Sequence, residues 1–205
     1  DVKILDLGSN QGLSVATNWG VYNATHDYIL VVNDDNVFPR NWDYKLNQFK
    51  QQGVVVSANQ IEPNPSMFPQ FIIKDLGKSP EEFDLKTYWD FEDTQYKQAE
   101  LNGSTLPFMM NKYDYLAVGG WDIMYPSPHV VDWDFFLKCE YAGYLMKRVY
   151  VNFYHFAGAA TRKTREQSAE STRKELIAHD FFTAKWGSKA EHNPQNNSKL
   201  LSKFK

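Results

Sequence analysis

Four consecutive polar residues, Asn33, Asp34, Asp35 and Asn36, follow an apolar run and could together hold a cation. Residues 28–32 before them are apolar and rich in β-branched side chains, which is typical of a strand buried on both faces. Because a pair of carboxylates is not stable inside a core without partners, the strand must end here, at an edge of the sheet. Ligands of open α/β sheets bind beyond the carboxyl ends of the strands.

Adjacent oxygen ligands at such an edge suit Mg²⁺ or Mn²⁺ carrying a phosphorylated substrate. The alternative is an Asn/Asp-rich turn in which the side chains hydrogen-bond their own backbone. The four residues by themselves leave both interpretations open.

The composition limits the class of protein. A length of 205 residues favours one domain, and a net charge of -3 gives no indication of nucleic-acid or anionic-membrane binding. No apolar run approaches the ~18 residues of a transmembrane helix. The single cysteine, Cys139, excludes an internal disulfide and favours a reducing compartment, so we expect a cytoplasmic protein. The aromatic content of 16% fits either a dense core or a surface that stacks on sugar rings.

Predicted strands and helices alternate along most of the chain. They are strands over 2–7, 28–32, 54–58, 104–110 and 144–153, and helices over 12–24, 39–52, 112–118, 129–143 and 166–185. The first strand, the first helix and the second strand form a crossover unit, which implies a parallel strand pair.

The segment from residue 62 to residue 102 is less regular because prolines interrupt it. Only residues 79–82 predict a helix start, with Ser79 as the cap and Pro80 in the first turn. The aromatic residues of the segment argue for order. It is therefore either a region that faces the acceptor or a solvated surface loop.

Five stretches of sequence occur in the order and spacing of a known enzyme family. They are NQGLSVATNWGV, VVNDDNVFPRNW, LPFMMNKYDYLAVGGWD, VVDWDFFLKCEYAGY and VNFYHF, which together span residues 10–155. The chain thereby resembles the inverting glycosyltransferases of family 2. The resemblance implies a GT-A fold, a Rossmann-like α/β arrangement in which a mixed, mostly parallel sheet is flanked by helices. We expect a catalytic domain over residues 1–187 and a polar tail over 188–205.

The beginning of the chain departs from the family pattern. Members open with two strands, the second of which ends in Asp-Asp-Gly-Ser, and these strands carry the acidic residue that binds the nucleotide base. Here residues 6–9, DLGS, resemble that ending but run directly into the helix motif. We therefore expect a companion segment, from a longer polypeptide or from another chain, to supply the opening strands.

The resemblance also assigns a role to the polar residues at the strand ends. Asp35 takes the place of the metal-binding carboxylate of the family's Asp-x-Asp motif, Asn33 takes the place of the first Asp, and the cofactor is Mn²⁺ or Mg²⁺. Asp34 is either a further ligand or a contact to the sugar. His155 is a second metal ligand or a pyrophosphate contact, unless it is a packing residue.

Asp132 takes the place of the general base, which removes the proton of the acceptor hydroxyl. Its alternative role is that of a helix-initiating carboxylate stabilised by the helix dipole. Asp134, two residues further on, cannot share the same helix face, so one of the two is structural. We retain Asp134 as a donor or acceptor contact together with Gly119, Gly120 and Trp121, which would line the sugar site, although Trp121 could equally lie in the core.

The basic residues Arg162, Lys163 and Arg165 could fold over the diphosphate as a mobile lid, or form an ordinary solvated loop.

Together these assignments predict an inverting, metal-dependent glycosyltransferase of polysaccharide biosynthesis. It would move a sugar from a nucleoside diphosphate sugar to the hydroxyl of a glycan or other acceptor. The rivals are a sugar-nucleotide nucleotidyltransferase, which would need a Gly-rich, Lys-containing phosphate loop that the sequence lacks, and an inactive glycan-binding domain.

Overall fold

The computed structural model describes residues 2–65, 70–156, 164–189 and 200–203. The helices in this part of the chain are α1 (Leu13–Asn23), α2 (Trp42–Asn47), α3 (Leu85–Gln95), α4 (Lys112–Ala117), α5 (Val131–Tyr141) and α6 (Arg165–Trp186). The strands are β1 (Tyr28–Val31), β2 (Asn36–Val37), β3 (Val54–Glu62), β4 (Ile72–Ile73), β5 (Lys97–Asn102), β6 (Phe108–Asn111) and β7 (Leu145–His155). None of the described helices combines the length and the apolar character that crossing a bilayer requires.

One mixed sheet forms the centre of the fold. Its main path runs β1–β6–β3–β7–β2, with β4 beside β3 and β5 beside β7. β3 and β7 form the longest pairing and run parallel, as do β3 and β4. The pairings β1–β6, β2–β7, β3–β6 and β5–β7 are antiparallel. The predicted α/β class, a mixed sheet flanked by helices, is confirmed. The sheet is not mostly parallel, because only the pairings of β3 with β4 and β7 are parallel and the other four are antiparallel.

The sheet separates two apolar layers because successive side chains of a strand point to opposite faces. Val55 of β3 packs in the cluster that includes residues of α5 and α6, whereas its neighbours Val54 and Val56 pack in the cluster that includes residues of α2. Leu200 and Leu201, which lie in the predicted polar tail, are buried in the first cluster. The end of the described chain therefore contributes to the core.

Residues 2–7 do not form the predicted strand. They are largely exposed, with Val2 94% and Ile4 86% accessible, and β1 pairs antiparallel with β6. The prediction of a parallel pair across α1 was therefore wrong. The physical reason is that an extended segment becomes a strand only when a neighbour pairs with its backbone groups, and none of the described strands lies beside these residues.

The predicted helix start at residues 79–82 was also wrong. These residues form a turn, and α3 begins at Leu85. The cap is Asp84, whose carboxylate accepts hydrogen bonds from two N–H groups of the first helical turn at 2.9 and 3.1 Å. A charged carboxylate is favoured at this position because the helix dipole is positive there.

Two strands extend further toward their carboxyl ends than predicted, and one helix is shorter. β3 reaches Glu62 rather than residue 58, and β7 reaches His155 rather than residue 153. α2 occupies only part of the predicted helix over 39–52. Because β3 and β7 are parallel, their added residues lie at the same edge of the sheet.

Candidate functional site

The carboxyl ends of β3 and β7 meet at the edge where an open α/β sheet binds its ligands. Glu62 is the last residue of β3 and His155 is the last of β7. Asp35 lies in the turn between β1 and β2, and β2 pairs with the end of β7 so that Asn36 stands opposite His155. The topology thus gathers three ionisable side chains from distant positions in the sequence.

The ring of His155 lies between two carboxylates. Its Nδ1 is 2.8 Å from Oε1 of Glu62, and its Nε2 is 3.4 Å from Oδ1 of Asp35. Burial by itself would lower the pKa of His155, but the hydrogen bonds and charges of Asp35 and Glu62 outweigh burial and raise the pKa to about 9. In this arrangement Nδ1 is hydrogen-bonded to Glu62, and Nε2 lies within ion-pair distance of Asp35.

Backbone hydrogen bonds hold the turn that carries Asp35 against β7. The N–H of Phe156 donates to the carbonyl oxygen of Asp35 at 3.1 Å, and the N–H of Asn36 donates to that of Asn33 at 3.3 Å. Asn33 and Asp35 are half-buried, whereas Asp34 is exposed. A turn closed by a backbone hydrogen bond is therefore present, and it places the Asp35 carboxylate beside the histidine ring, as the cation interpretation of this stretch requires.

Asp35 and His155 fit a divalent cation as a pair of ligands. Two ligands at right angles on an ion with bonds of about 2.1 Å lie about 3 Å apart, and the observed separation of Nε2 and Oδ1 is 3.4 Å. Binding would displace the Nε2 proton, as histidine ligation requires. The described residues contain no group of three His, Cys, Asp or Glu side chains placed to hold an ion. Further ligands would therefore be phosphate oxygens and water.

Glu62 is a site residue that sequence reasoning missed. The signal was present, since an acidic residue ends the run VVVSANQIE, but the polar residues inside that run made the strand look finished at residue 58. The strand continues because those residues have partners: Asn59 Nδ2 donates to Asn152 Oδ1 at 2.9 Å, and Gln60 Nε2 donates to a backbone carbonyl at 2.8 Å. Polar side chains are stable in a buried strand when they are paired in this way.

Asp132 lies in the first turn of α5 and is half-buried. Burial raises the pKa of its carboxyl to about 6, although the N–H groups of Trp133 and of Asp132 itself lower it. Val130, which caps the helix, has a φ of 54°, a left-handed conformation that is costly for a β-branched residue. A carboxyl with a pKa near neutrality is suited to accept a proton, and strained backbone is concentrated at functional sites.

Asp134 is fully buried and joins α5 to the end of α6. Its Oδ1 accepts from Trp186 Nε1 at 2.8 Å and from the Tyr125 hydroxyl at 3.2 Å, and Lys185 Nζ lies 2.8 Å away. Lys185 also pairs with Asp122 at 2.6 Å. The two carboxylates of α5 therefore have different surroundings, one half-exposed and the other enclosed.

The glycine pair after α4 is fixed by α1. Gly119 and Gly120 have φ values of 89° and 61°, and a Cβ on Gly120 would lie 2.5 Å from Oδ1 of Asn18. Asn18 exchanges two hydrogen bonds with the backbone of Trp121, at 2.8 and 2.9 Å. Trp121 itself is a core residue, 2% exposed. Asn18 is a second residue whose role sequence reasoning missed, because nothing in the sequence indicates that α1 touches this loop.

Two residues of the predicted basic lid, Arg162 and Lys163, lie outside the described residues. The third, Arg165, is the first residue of α6, which begins with a capping box formed by Thr164 and Gln167. The structure brings Asp35 and His155 together with Glu62, while Asp132 and Asp134 belong to α5.

The family model described as glycosyl transferase family 2 matches residues 1–115, a range that includes Asp35 and Glu62 and ends before Asp132 and His155. Among solved structures, the crystal structure of GalNAc-T7 with UDP, GalNAc and Mn²⁺ is 12% identical with a TM-score of 0.49; the match covers 71% of this chain and 30% of that chain. Comparison with curated proteins gives no match.

Proposed function

Because the chain belongs to glycosyl transferase family 2, we propose that it transfers a sugar from a nucleoside diphosphate sugar to an acceptor hydroxyl, with inversion at the anomeric carbon. The observation that carries this proposal is the row formed by Glu62, His155 and Asp35 at the carboxyl ends of the strands. Residues 1–187 would be the catalytic domain, and residues 188–205 a tail.

Asp35 and His155 would hold Mn²⁺ or Mg²⁺ at this row. When bound, the cation would neutralise the charge that develops on the departing diphosphate. Glu62 accepts from Nδ1 of His155 and so keeps Nε2 directed at Asp35. We assign Asn33 and Asp34, in the same turn, to contacts with the donor.

Asp132 is the proposed general base. With a pKa of about 6 its carboxyl is ionised at neutral pH, and it would take the proton of the acceptor hydroxyl as that oxygen bonds to the anomeric carbon and the bond to the diphosphate breaks. Gly119, where an added Cβ would meet no atom within 4 Å, would allow a sugar to approach the backbone closely, and Gly120 would keep this loop against Asn18 of α1. Asp134 and Trp121 would support these groups from the core, and the basic residues 162, 163 and 165 would close over the diphosphate.

Binding of UDP and GDP, measured by calorimetry with and without Mn²⁺, tests the proposal. We expect Mn²⁺-dependent binding by the wild type and its loss in Asp35→Asn, with the circular dichroism spectrum unchanged. Asp43→Asn, at an exposed carboxylate of α2, is the matched control and should bind as the wild type does. Retention of metal-dependent binding in Asp35→Asn would refute the assignment. The anomeric configuration of the product, read by NMR, decides whether the transfer inverts.

A companion segment that pairs with β1 would complete the donor site. Within the described residues β1 has β6 on one side only, so its other edge is open to a further strand. If that strand carries the base-binding residue, the isolated chain should discriminate among uracil, guanine and thymine diphosphates by less than about 100-fold, or about 2.7 kcal/mol. A larger preference in the calorimetric titrations would show that the base pocket lies within these residues.

A further inference from the structure

One edge of β7 changes its partner along the strand. β5 pairs with residues 147–150 on this edge and β2 pairs with residues 154–155, while β3 occupies the opposite edge. Asn152 therefore lies at a gap between two neighbouring strands. Its backbone N–H and carbonyl are fully buried, and buried backbone groups require hydrogen-bond partners.

Side chains of α3 fill this gap. The hydroxyl of Tyr88 lies 2.9 Å from the carbonyl oxygen of Asn152 on β7 and 3.0 Å from that of Val37 on β2. One helical turn later, Oε1 of Glu92 accepts from the N–H of Asn152 at 3.1 Å. A single helix thus satisfies both backbone groups at the gap and joins β2 to β7.

β2 depends on such support because it is only two residues long. Besides its ladder with β7, the segment is held by Trp89, whose Nε1 donates to the carbonyl of Phe38 at 3.0 Å, one residue beyond the strand. α3 is itself fixed, since Glu92 pairs with the buried Lys45 of α2. The helix is therefore a rigid support rather than a loose loop.

This support is important because it lies close to the row formed by Glu62, His155 and Asp35. Asp35 immediately precedes β2, and His155 follows Asn152 by three residues on β7. Any shift of β2 along or away from β7 changes the separation of Asp35 from His155. Tyr88 is fully buried and packs against Phe83 and Tyr154, so its hydroxyl is held at the junction.

We propose that Tyr88 is a positioning residue for the cation-binding pair, because its hydroxyl joins the strand that follows Asp35 to the strand that carries His155. This inference rests on the proposed function. Helix α3 lies in the segment that the sequence left as either an acceptor-facing region or a surface loop, and it supports the cation site. It does so through hydrogen bonds between its side chains and backbone groups of β2 and β7.

Tyr88→Phe tests this role, since it removes the hydroxyl and keeps the ring. Tyr115→Phe is the matched control: Tyr115 is also fully buried, and its hydroxyl lies 2.7 Å from Asn18 Oδ1 and 3.3 Å from the N–H of Trp121. For each variant we would measure the affinity for Mn²⁺ alone by paramagnetic resonance, the midpoint of urea unfolding, and the hydrogen exchange of the Phe156 amide, which donates to Asp35.

We expect Tyr88→Phe to bind Mn²⁺ up to about tenfold more weakly, the scale of one lost buried hydrogen bond, and to exchange the Phe156 amide faster. Tyr115→Phe should lower the unfolding midpoint without either effect. Wild-type Mn²⁺ affinity and exchange in Tyr88→Phe, or an equal loss in Tyr115→Phe, would overturn the inference. If Tyr88→Phe folds poorly, Trp89→Phe removes the neighbouring hydrogen bond and should show the same pattern.

Hydrogen exchange of the Phe156 amide tests this inference independently of the proposed function. A wild-type chain that shows no Mn²⁺-dependent binding of UDP or GDP contradicts the proposed function. The Phe156 amide still reports, without any metal, whether Tyr88 holds the Asp35 turn against β7.

Discussion

At the scale of single residues, Glu62 has a role that its neighbours cannot take over. It is the described partner of Nδ1 of His155, at 2.8 Å. Glu62→Gln keeps the size of the side chain and an oxygen that can accept from Nδ1, but it removes the charge that strengthens this hydrogen bond. We predict a 10- to 100-fold weaker Mn²⁺ affinity, measured by paramagnetic resonance. Glu100 of β5 forms an exposed ion pair with Lys147 of β7. Glu100→Gln should therefore leave the Mn²⁺ affinity unchanged.

Asp132 offers a test of the chemistry rather than of binding. Asp132→Asn removes the proton acceptor and should lower kcat by ~10²–10⁴-fold, with little change in donor affinity. In the wild type, burial raises the pKa of this carboxyl to about 6, so the base becomes protonated as the pH falls through that value. We therefore expect kcat to decline about tenfold per pH unit below about pH 6.

Two outcomes would reassign the base. The decline of kcat at low pH should disappear in Asp132→Asn, and a residual decline of the same shape would point to another group. If Asp134→Asn abolishes turnover in a folded protein while Asp132→Asn is mild, the two carboxylates of α5 have been exchanged in our assignment.

At the scale of elements, the contact between α1 and the loop after α4 leaves no room for added volume at Gly120. Gly120→Ala would place a Cβ 2.5 Å from Asn18 Oδ1 and 2.9 Å from a ring carbon of Tyr115, at a φ of 61°. We predict a loss of about 2–4 kcal/mol of unfolding free energy in urea. Gly20→Ala, inside α1 with no atom within 4 Å, should instead stabilise by about 0.5–1 kcal/mol.

The sequence predicted elements well where periodicity and a clear end signal coincide. The helix over 12–24 and the central strand are present because an apolar pattern and a turn bound each of them. The end of β3 was placed too early because Asn59 and Gln60 look like loop residues, and their partners lie on distant segments. Tertiary pairing of this kind leaves no local trace, which is also why Glu62, Asn18 and Tyr88 went unnoticed.

At the scale of the whole molecule, one lysine adds ion pairs to the apolar contacts that attach α6 to the rest of the chain. Lys185 reaches both Asp122 and the buried Asp134. Lys185→Met would leave Asp134 without its nearest cation, although Trp186 and Tyr125 still donate to it, so we predict a loss of about 2 kcal/mol in urea unfolding.

Lys86→Met is the comparison for this change. Lys86 pairs with Asp90 at 2.5 Å, a similar distance, but its side chain is 80% exposed. Its removal should leave the unfolding midpoint almost unchanged, because water already solvates both charges. Equal effects of the two substitutions would show that the enclosure of Asp134 contributes nothing to the attachment of α6.

The order of the sequence motifs was sufficient to predict the fold class. It predicted only some of the residues that the structure brings together at the candidate site. Asp35 and His155 come together because β2, which follows Asp35, pairs with the end of β7, which carries His155. The beginning of the chain was misjudged, since residues 2–7 have the composition of a strand but no described partner. A strand-like sequence pattern shows only that a segment is able to form a strand. Whether it does so depends on a neighbouring strand that can pair with its backbone.

The hydrogen bond between Trp186 and Asp134 places a fluorescent side chain where α6 contacts α5. The fluorescence of Trp186 can therefore show whether α6 is attached. The indole N–H of Trp186 donates to a buried carboxylate, and the ring is 9% exposed. Indole fluorescence depends on the polarity of its surroundings, so detachment of α6 would shift the emission of Trp186 to longer wavelength. The difference spectrum between the wild type and Trp186→Phe would isolate this signal from the other tryptophans, and would follow the helix during turnover without any added label.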